Sequence, residues 1–353
     1  MGPVTTARPG GGHGPRAGDN VPVFKLVGWV LTLALAAAAV FTLDPARIGL
    51  STFAPVTQAI AMRPYLAAGF AVLGGLLLLG VMLAALFRRR WPRRTVLGLV
   101  FLAVGLGHGW VLWDRGTGGA ELPEARDGAV TVFALNTLGG GASPEQVVDA
   151  ALDAGADVLA LPETSEDSAR TVATALSERT GTGFQVFAHR TGEWDASSTA
   201  LLVSEELGEY VETDAPTTAH GAVRAEPADG TGPTLLAVHP FSPHAPGRAM
   251  DRWRADVRAV TEPCRSESGV IVAGDFNATL DHEPMRDIGR CVDASVEGGV
   301  GGVATWPAHR PRLVGAAIDH VLVDGEAYTV DAAAVRSVGE SDHRAVVAQI
   351  SPR

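Results

Sequence analysis

Lysine is all but missing from this 353-residue chain: Lys25 stands alone, so any binding of phosphate by fixed positive charge falls to arginine. Two cysteines, Cys264 and Cys291, are too few for a zinc ribbon or a multi-disulfide scaffold. No Gly-x-Ser-x-Gly elbow, no P-loop and no His-Glu-x-x-His helix occurs, which removes the sequence grounds for a serine hydrolase, a P-loop nucleotidase or a zinc protease. There is no internal repeat. The 46% hydrophobic content and positive mean hydropathy exclude a disordered or collagen-like chain.

Charge is unevenly placed. Of 28 Lys and Arg residues 11 lie in residues 1–115, with only 3 of the 39 acidic residues, which leaves 17 basic and 36 acidic side chains, net −19, for residues 116–353. A segment so acidic is a poor ligand for duplex nucleic acid, whose nonspecific affinity comes from Lys and Arg neutralising phosphates. The basic segment holds three apolar runs, Val21 to Leu43, Tyr65 to Phe87 and Thr95 to Trp113, of 23, 23 and 19 residues. Each is long enough to cross a hydrocarbon core of about 30 Å as a helix. A cleaved signal peptide explains the first run alone.

Arg8, Arg16 and Lys25 precede the first run, and Arg88, Arg89, Arg90, Arg93 and Arg94 fill the turn between the second and third. The positive-inside rule puts both on the cytoplasmic side, so the chain after residue 115 is expected outside the cell membrane. The outer loop Asp44 to Pro64 reads either as an interfacial apolar face carrying Ile48, Phe53, Val56 and Ile60 or as a plain connector. Gly69, Gly74, Gly75 and Gly80 are expected to allow close helix contact, and His108 to sit solvated at the membrane surface. Residues 1–20 read as a disordered cytoplasmic tail, 21–115 as a membrane anchor, 116–128 as a linker and 129–353 as one outward domain. Both cysteines fall in that domain; their spacing is compatible with a bridge and equally with two buried thiols.

The outward domain alternates strands and helices. Ala129 to Asn136 reads as a strand, and Ser143-Pro144-Glu145 opens a helix that Gly155 closes. A strand at Asp157 to Leu161 and a helix at Ser165 to Thr180 follow. Strands are expected at Phe184 to His189, Thr199 to Ser204, Gly221 to Glu226 and Thr234 to Val238, then a helix at Arg248 to Glu262. Gly269 to Ala273, Ala317 to Val323 and Ala345 to Ile350 complete the strands, an order that fits two packed sheets with helices outside.

Polar residues collect where these strands end: Asn136, Glu163, His239, Asp275 with Asn277, Asp319, and Asp342 with His343. Singly, each reads as an Asx turn or a hydrogen-bonded corner. Together, four carboxylates, two amides and two imidazoles suit a hard divalent cation held by oxygen, with histidines left to move protons. That set suits phosphoester hydrolysis by in-line attack of water.

At these residues the chain resembles the endonuclease/exonuclease/phosphatase superfamily over about Ala129 to Ile350. The motifs are Ala134-Leu135-Asn136, Leu161-Pro162-Glu163, Val238-His239-Pro240, Gly274-Asp275-Phe276-Asn277, Thr305-Trp306-Pro307, Ile318-Asp319-His320 and Ser341-Asp342-His343. The resemblance implies a DNase I-like four-layer α/β sandwich behind three transmembrane helices, using Mg²⁺ or Mn²⁺. It implies Glu163 as the principal metal carboxylate with Asn136 and Asp342 near the same ion, and His343, polarised by Asp319, as general base. His239 is implied to contact the scissile phosphate, Asp275 and Asn277 to orient the nucleophile and a phosphate oxygen, and Thr305 and Trp306 to brace the loop beside Asp319. Val238 and Pro240 flank His239 where the family often has Thr or Asn. The family's phosphate-binding lysines are missing, which leaves Arg190, Arg224, Arg248, Arg310 and Arg312 as candidate replacements. Taken singly, each of these arginines reads as a solvated side chain, as do His189, His220, His244 and His309.

Three spans followed by an outward catalytic domain are also similar to the actinobacterial VanJ-type membrane proteins linked to teicoplanin resistance. That similarity implies hydrolysis of a phosphorylated lipid carrier of the envelope, such as undecaprenyl diphosphate; separately, no protein partner is expected from the sequence. An extracytoplasmic nuclease or general phosphodiesterase is the alternative enzyme reading, and a catalytically silent binding or sensor domain the alternative from another class.

Overall fold

A computed structural model describes residues 21–119, 121–126 and 128–353; the segment expected as a cytoplasmic tail lies outside the described residues. Helices α1 (Val21–Phe41), α3 (Arg63–Leu86) and α4 (Pro92–Asp114) are long and apolar enough to cross a membrane. They leave large apolar side chains such as Leu76, Leu83, Leu99 and Leu106 exposed, the surface that lipid would cover. Of the glycines expected at helix contacts, Gly74 is the one that serves: a Cβ there would meet Leu102 N at 2.5 Å and Gly98 O at 2.8 Å. Gly105 plays the matching part on α4, against Ala67 and Ala71. Nothing lies within 4 Å of such an atom at Gly69 or Gly75.

The loop between α1 and α3 is not a free connector; of its apolar residues Ile60 is buried, while Ile48 and Phe53 stay exposed. It carries the short helix α2 (Val56–Ala61), buries Ser51, Thr57 and Ile60, and packs on the C-terminal domain.

That domain is two six-stranded sheets packed face to face. The first runs β11 (Tyr328–Ser337), β12 (Arg344–Pro352), β1 (Val130–Ala134), β2 (Val158–Pro162), β4 (Ser198–Ser204), β3 (Phe184–Arg190). The second runs β5 (Tyr210–Thr213), β6 (Ala222–Pro227), β7 (Thr234–Val238), β8 (Val270–Asp275), β10 (Asp319–Asp324), β9 (Cys291–Asp293). Side chains alternate as the period of two requires. Val132 and Ala134 of β1 and Ile271 and Ala273 of β8 point into the core between the sheets. Phe133 and Leu135 point the other way, under α5 (Pro144–Ala154) and α6 (Glu166–Thr180). Val270 and Val272 likewise face α7 (Arg248–Thr261), whose Met250, Trp253, Val257 and Val260 recur at helical spacing. Helix, sheet, sheet, helix is the four-layer order expected.

Local signals explain the helix starts. Ser143 caps α5 in a reciprocal box with Gln146, and Ser165 caps α6 ahead of Glu166 and Asp167, acids that favour the positive end of the helix dipole. Cys264, on the short helix α8 (Pro263–Ser266), and Cys291 on β9 form a disulfide with their Cα atoms 5.3 Å apart, which decides between bridge and thiols.

Strand direction gathers the polar residues. Strands β1 and β2 are parallel, as are β7 and β8, while β12 and β10 run antiparallel to β1 and β8. The ends after β1, β2, β7 and β8 and the starts of β10 and β12 therefore meet along one edge of the sandwich.

Candidate active site

Asn136 sits just beyond β1 and donates its Nδ2 to Glu163 Oε1 at 3.0 Å and to Asp275 Oδ2 at 3.1 Å, drawing two carboxylates from different sheets together. Its Oδ1 accepts the Leu138 N–H at 2.9 Å, which fixes the amide. Glu163 follows β2 with φ of 55°, a left-handed backbone unusual for glutamate, and Thr137 Oγ1 donates to its carbonyl at 2.9 Å. Asn277 is also left-handed, at φ of 49°, and its N–H donates to Asp275 Oδ1 at 2.8 Å. Two such residues in the loops bearing the proposed ligands mark where the chain accepts strain to aim side chains.

His343 Nδ1 lies 2.9 Å from Asp319 Oδ2, which leaves Nε2 facing Asp275 Oδ2 at 3.8 Å and Asp342 Oδ1 at 3.9 Å. His239 Nε2 approaches Asp275 Oδ2 at 3.6 Å from the other side. The Ser341 hydroxyl ties this corner together, donating to Asn136 O at 2.7 Å and accepting the His343 N–H at 3.0 Å. Thr305 Oγ1 accepts from the Ile318 and Asp319 N–H groups, and Trp306 Nε1 donates to Asp342 Oδ2 at 3.0 Å, so this pair braces the loop as expected.

Electrostatics follow from burial and from the crowd of carboxylates. Burial raises Asp275 to about 7, with Asp319 adding to the effect and His343 opposing it. Burial alone would lower His343, but Asp319 and Asp275 outweigh it and hold the imidazolium up at about 10. His239 is held well below its ordinary value by burial, then by His220 and His343, and so is neutral at physiological pH.

Asp275, Asp319 and His343 present ligand atoms within 4.8 Å of one another. The Asp319–His343 hydrogen bond already occupies Nδ1, so the oxygens better placed for a cation are those of Glu163 and Asp275, which converge on one amide group. Asp342 Oδ1 is buried with no hydrogen-bond partner. An all-oxygen, carboxylate-rich set with an orphaned oxygen fits a hard divalent ion.

These groups open into a cavity of about 640 Å³ lined by Glu163, His239, Asp275, Asn277 and His343 together with several residues that the sequence did not single out. His220, read as solvated, is half-buried and lines it, its ring 4.7 Å from that of His239, while His244 lines it and stays exposed as expected. His189 and His309 are exposed, as expected. Trp306 both braces Asp342 and faces the cavity. Gln58 and Ala61 come from α2, and Met62 from the turn between α2 and α3. Among the described residues no arginine lines this cavity, so the candidates Arg190, Arg224, Arg248, Arg310 and Arg312 stand outside its lining. Arg190 is exposed and donates to Gly192 O at 2.7 Å; Arg224 is bound by both oxygens of Glu267 at 2.9 Å and by Glu226; Arg248 and Arg310 are exposed.

Residues 133–343 match the Endonuclease/Exonuclease/phosphatase family, and the chain belongs to it. Members of that family are phosphoesterases and nucleases that generally use divalent metals. The fold is similar to the human Nocturnin catalytic domain with bound sulfate anion, with TM-score 0.50 and 16% identity over 66% of this chain and 97% of that one. An endonuclease/exonuclease/phosphatase from Bacteroides vulgatus has TM-score 0.47 and 15% identity, covering 64% of this chain and 99% of its own. One from Beutenbergia cavernae has TM-score 0.47 and 17% identity, covering 64% and 72%. At such identities the likeness is one of fold. No curated protein matches the chain in sequence.

Proposed function

We propose that this protein is a membrane-anchored, divalent-metal-dependent phosphohydrolase, its catalytic domain outside the cell membrane, acting on a phosphorylated lipid such as undecaprenyl diphosphate. One observation carries the reading: the cavity that holds the carboxylates and histidines is walled on one side by Gln58, Ala61 and Met62, next to the first turn of α3. A nuclease has no use for a membrane helix beside its reacting centre. An enzyme whose substrate lies in the same plane gains high local concentration from one. The cavity also pairs a polar floor with apolar sides at Ala196, Pro243, Ala316 and Ile318, as a headgroup joined to a hydrocarbon requires. The disulfide supports the outward placement, since such bonds persist in oxidising compartments.

In this reading Glu163, Asp275 and Asp342 would hold Mg²⁺ or Mn²⁺, with Asn136 beside them. Bound there, such an ion would supply charge neutralisation at the phosphate and a more acidic water. His343 takes the proton of the attacking water at Nε2, its ring held by Asp319 at Nδ1. For that role it must be neutral, and a cation held at Asp275 and Asp342 would offset two of the three carboxylates that keep it protonated, Asp319 being the third. Neutral His239 donates a hydrogen bond to a phosphate oxygen, and Asn277 orients Asp275. Water oxygen bonds to phosphorus as the bond from phosphorus to the bridging oxygen breaks, giving the lipid monophosphate and inorganic phosphate from a lipid diphosphate. Such a reaction on an envelope lipid carrier accords with the VanJ-type resemblance.

The test is turnover by the full-length protein in phospholipid vesicles, with undecaprenyl diphosphate, a lipid monophosphate and single- and double-stranded DNA as substrates. Release of phosphate from a lipid, faster than any cleavage of DNA, is expected. Faster hydrolysis of DNA would replace this reading with the nuclease one.

A further inference from the structure

The loop after β8 does two jobs. It starts from Asp275 at the end of β8, carries Asn277 into the active site, and a few residues on delivers Asp281 and His282 to the membrane anchor. Asp281 Oδ1 accepts from Arg63 Nη2 at 2.7 Å and Arg115 Nη2 at 2.6 Å, while Oδ2 accepts from Arg63 Nε at 2.9 Å and Arg115 Nη1 at 3.0 Å. One buried carboxylate is thus gripped by two guanidinium forks, from the start of α3 and from just past the end of α4. Arg63 Nη1 reaches His108 Nδ1 at 2.8 Å, and His108 Nε2 lies 3.0 Å from Thr42 Oγ1, so all three helices are tied to this point. His108, expected to be solvated, is fully buried, because Arg63 and Thr42 give both ring nitrogens partners.

Neighbouring contacts extend the joint along α2. His282 Nε2 donates to Thr57 O at 3.0 Å, the Glu283 N–H donates to Ser51 Oγ at 3.0 Å, and Gln58 Nε2 donates to Pro243 O. The chain leaving α4 is fixed too: Gly118 N donates to Gly299 O at 2.9 Å and Gly302 N to Gly116 O at 2.7 Å. Residues 116–118 are therefore pinned to the domain rather than acting as a slack tether.

We propose that the turn between α2 and α3 is a working wall of the catalytic cavity, receiving the hydrocarbon next to the phosphate, and that Asp281 is the positioning residue that holds it through Arg63 and Arg115. The proposal rests on the lipid reading above and adds the specificity element to it. Ala61 and Met62 are the apolar residues of that wall, and Met62 directly precedes Arg63, the first residue of span two. A substrate seated by its phosphate at Glu163 and Asp275 meets this turn on the side from which a membrane lipid enters.

The experiment uses the full-length protein in vesicles, with undecaprenyl diphosphate and the water-soluble bis(p-nitrophenyl) phosphate as paired substrates. Asp281→Asn should raise KM for the lipid on the order of tenfold more than KM for the soluble diester, with Asp281→Glu recovering part of the loss. Arg115→Gln, at a partly exposed position, is the gentler variant should Asp281→Asn fail to fold. Ala61→Trp should lower kcat/KM for the lipid about tenfold more than for the diester. Docking is read separately by a short bifunctional thiol reagent in a Gln58→Cys, Pro243→Cys protein, which has no other free thiols because Cys264 and Cys291 are paired. Adding Asp281→Asn should cut the cross-link yield. An unchanged yield, or equal losses on both substrates, overturns the wall and its lock. A parent protein that hydrolyses the diester but no lipid phosphate sinks the lipid reading instead, and the cross-link still decides whether Asp281 holds the turn.

Discussion

Replacing Asp319 by Asn removes a charge and almost no volume. Asp319 is buried, its backbone N–H is held by Thr305 Oγ1, and its two carboxylate oxygens lie 2.9 and 3.1 Å from His343 Nδ1. The isosteric amide should therefore leave the packing intact. Of the groups that raise His343, Asp319 is the largest, ahead of Asp275. A folded value of about 10 against an ordinary 6.5 corresponds to about 5 kcal/mol favouring the imidazolium. A raised histidine contributes stability that is fully present below about pH 6.5 and is lost as pH climbs through about 10. The wild-type protein should lose stability over that window, while Asp319→Asn should be less stable at pH 6 and show a flatter profile above it. Without the carboxylate the ring can adopt the wrong tautomer, and turnover should fall by a factor on the order of 10² to 10⁴. Thermal unfolding in detergent across pH, histidine NMR titration and single-turnover hydrolysis of a phosphodiester supply the readings. A variant with the wild-type pH profile and wild-type turnover would show that the pair does no catalytic or electrostatic work.

Chelator should abolish activity and Mg²⁺ or Mn²⁺ restore it, with Glu163→Gln needing on the order of 10- to 100-fold more metal; full turnover in chelator would dismiss the metal mechanism. Reporter fusions after Arg90 and after Gly128 should give opposite compartment readings, and the same compartment at both sites would discard the three-span topology. The Cys264–Cys291 bridge closes a sequence separation of 27, so removing it should cost about 3 kcal/mol, read as a lower melting temperature under reducing conditions. An unaltered melting curve would mean that α8 and β9 are already fixed by their neighbours.

Ordered, one-sided signals were legible in the sequence. An apolar run that ends in a polar residue at a strand terminus, as at Ala134-Leu135-Asn136 or Gly274-Asp275-Phe276-Asn277, locates both the strand and the side chain it delivers, and all eight such residues converge on one edge. The short strands β5 and β9 and the strand β11 escaped notice because Tyr210–Thr213, Cys291–Asp293 and Tyr328–Ser337 are edge or near-edge segments with weak alternation. The cavity lining holds none of the candidate arginines for a related reason. Arginine on an acidic surface finds carboxylates nearer than any substrate, as Arg224 finds Glu226 and Glu267. His220, beside a strand start, and Gln58, on α2 well before the domain's first strand, gave no local signal, since their place in the cavity comes from tertiary contacts.

Arg63 and Arg115 run against the charge rule that orients the helices. The positive-inside rule keeps arginine on the cytoplasmic flanks, yet in the proposed orientation Arg63 and Arg115 both sit at the outer ends of their helices. Asp281 accounts for both. Burying one carboxylate costs several kcal/mol, which two bidentate guanidinium groups offset, and together they drive its pKa far below the ordinary range. By the linkage sign for a depressed carboxylate, the contact is complete above about pH 4 and persists well below it, so it holds across the range any envelope enzyme meets. A buried ion pair is seldom the cheapest way to stabilise an interface, since apolar residues of like volume often do as well. What it adds is a fixed register, because neither guanidinium can be left behind in a low dielectric without its carboxylate. In a protein whose cavity takes one wall from the anchor and the rest from the catalytic domain, that register decides whether the wall stands beside Glu163 and Asp275 or a few ångströms away, which is the difference the paired-substrate experiment measures.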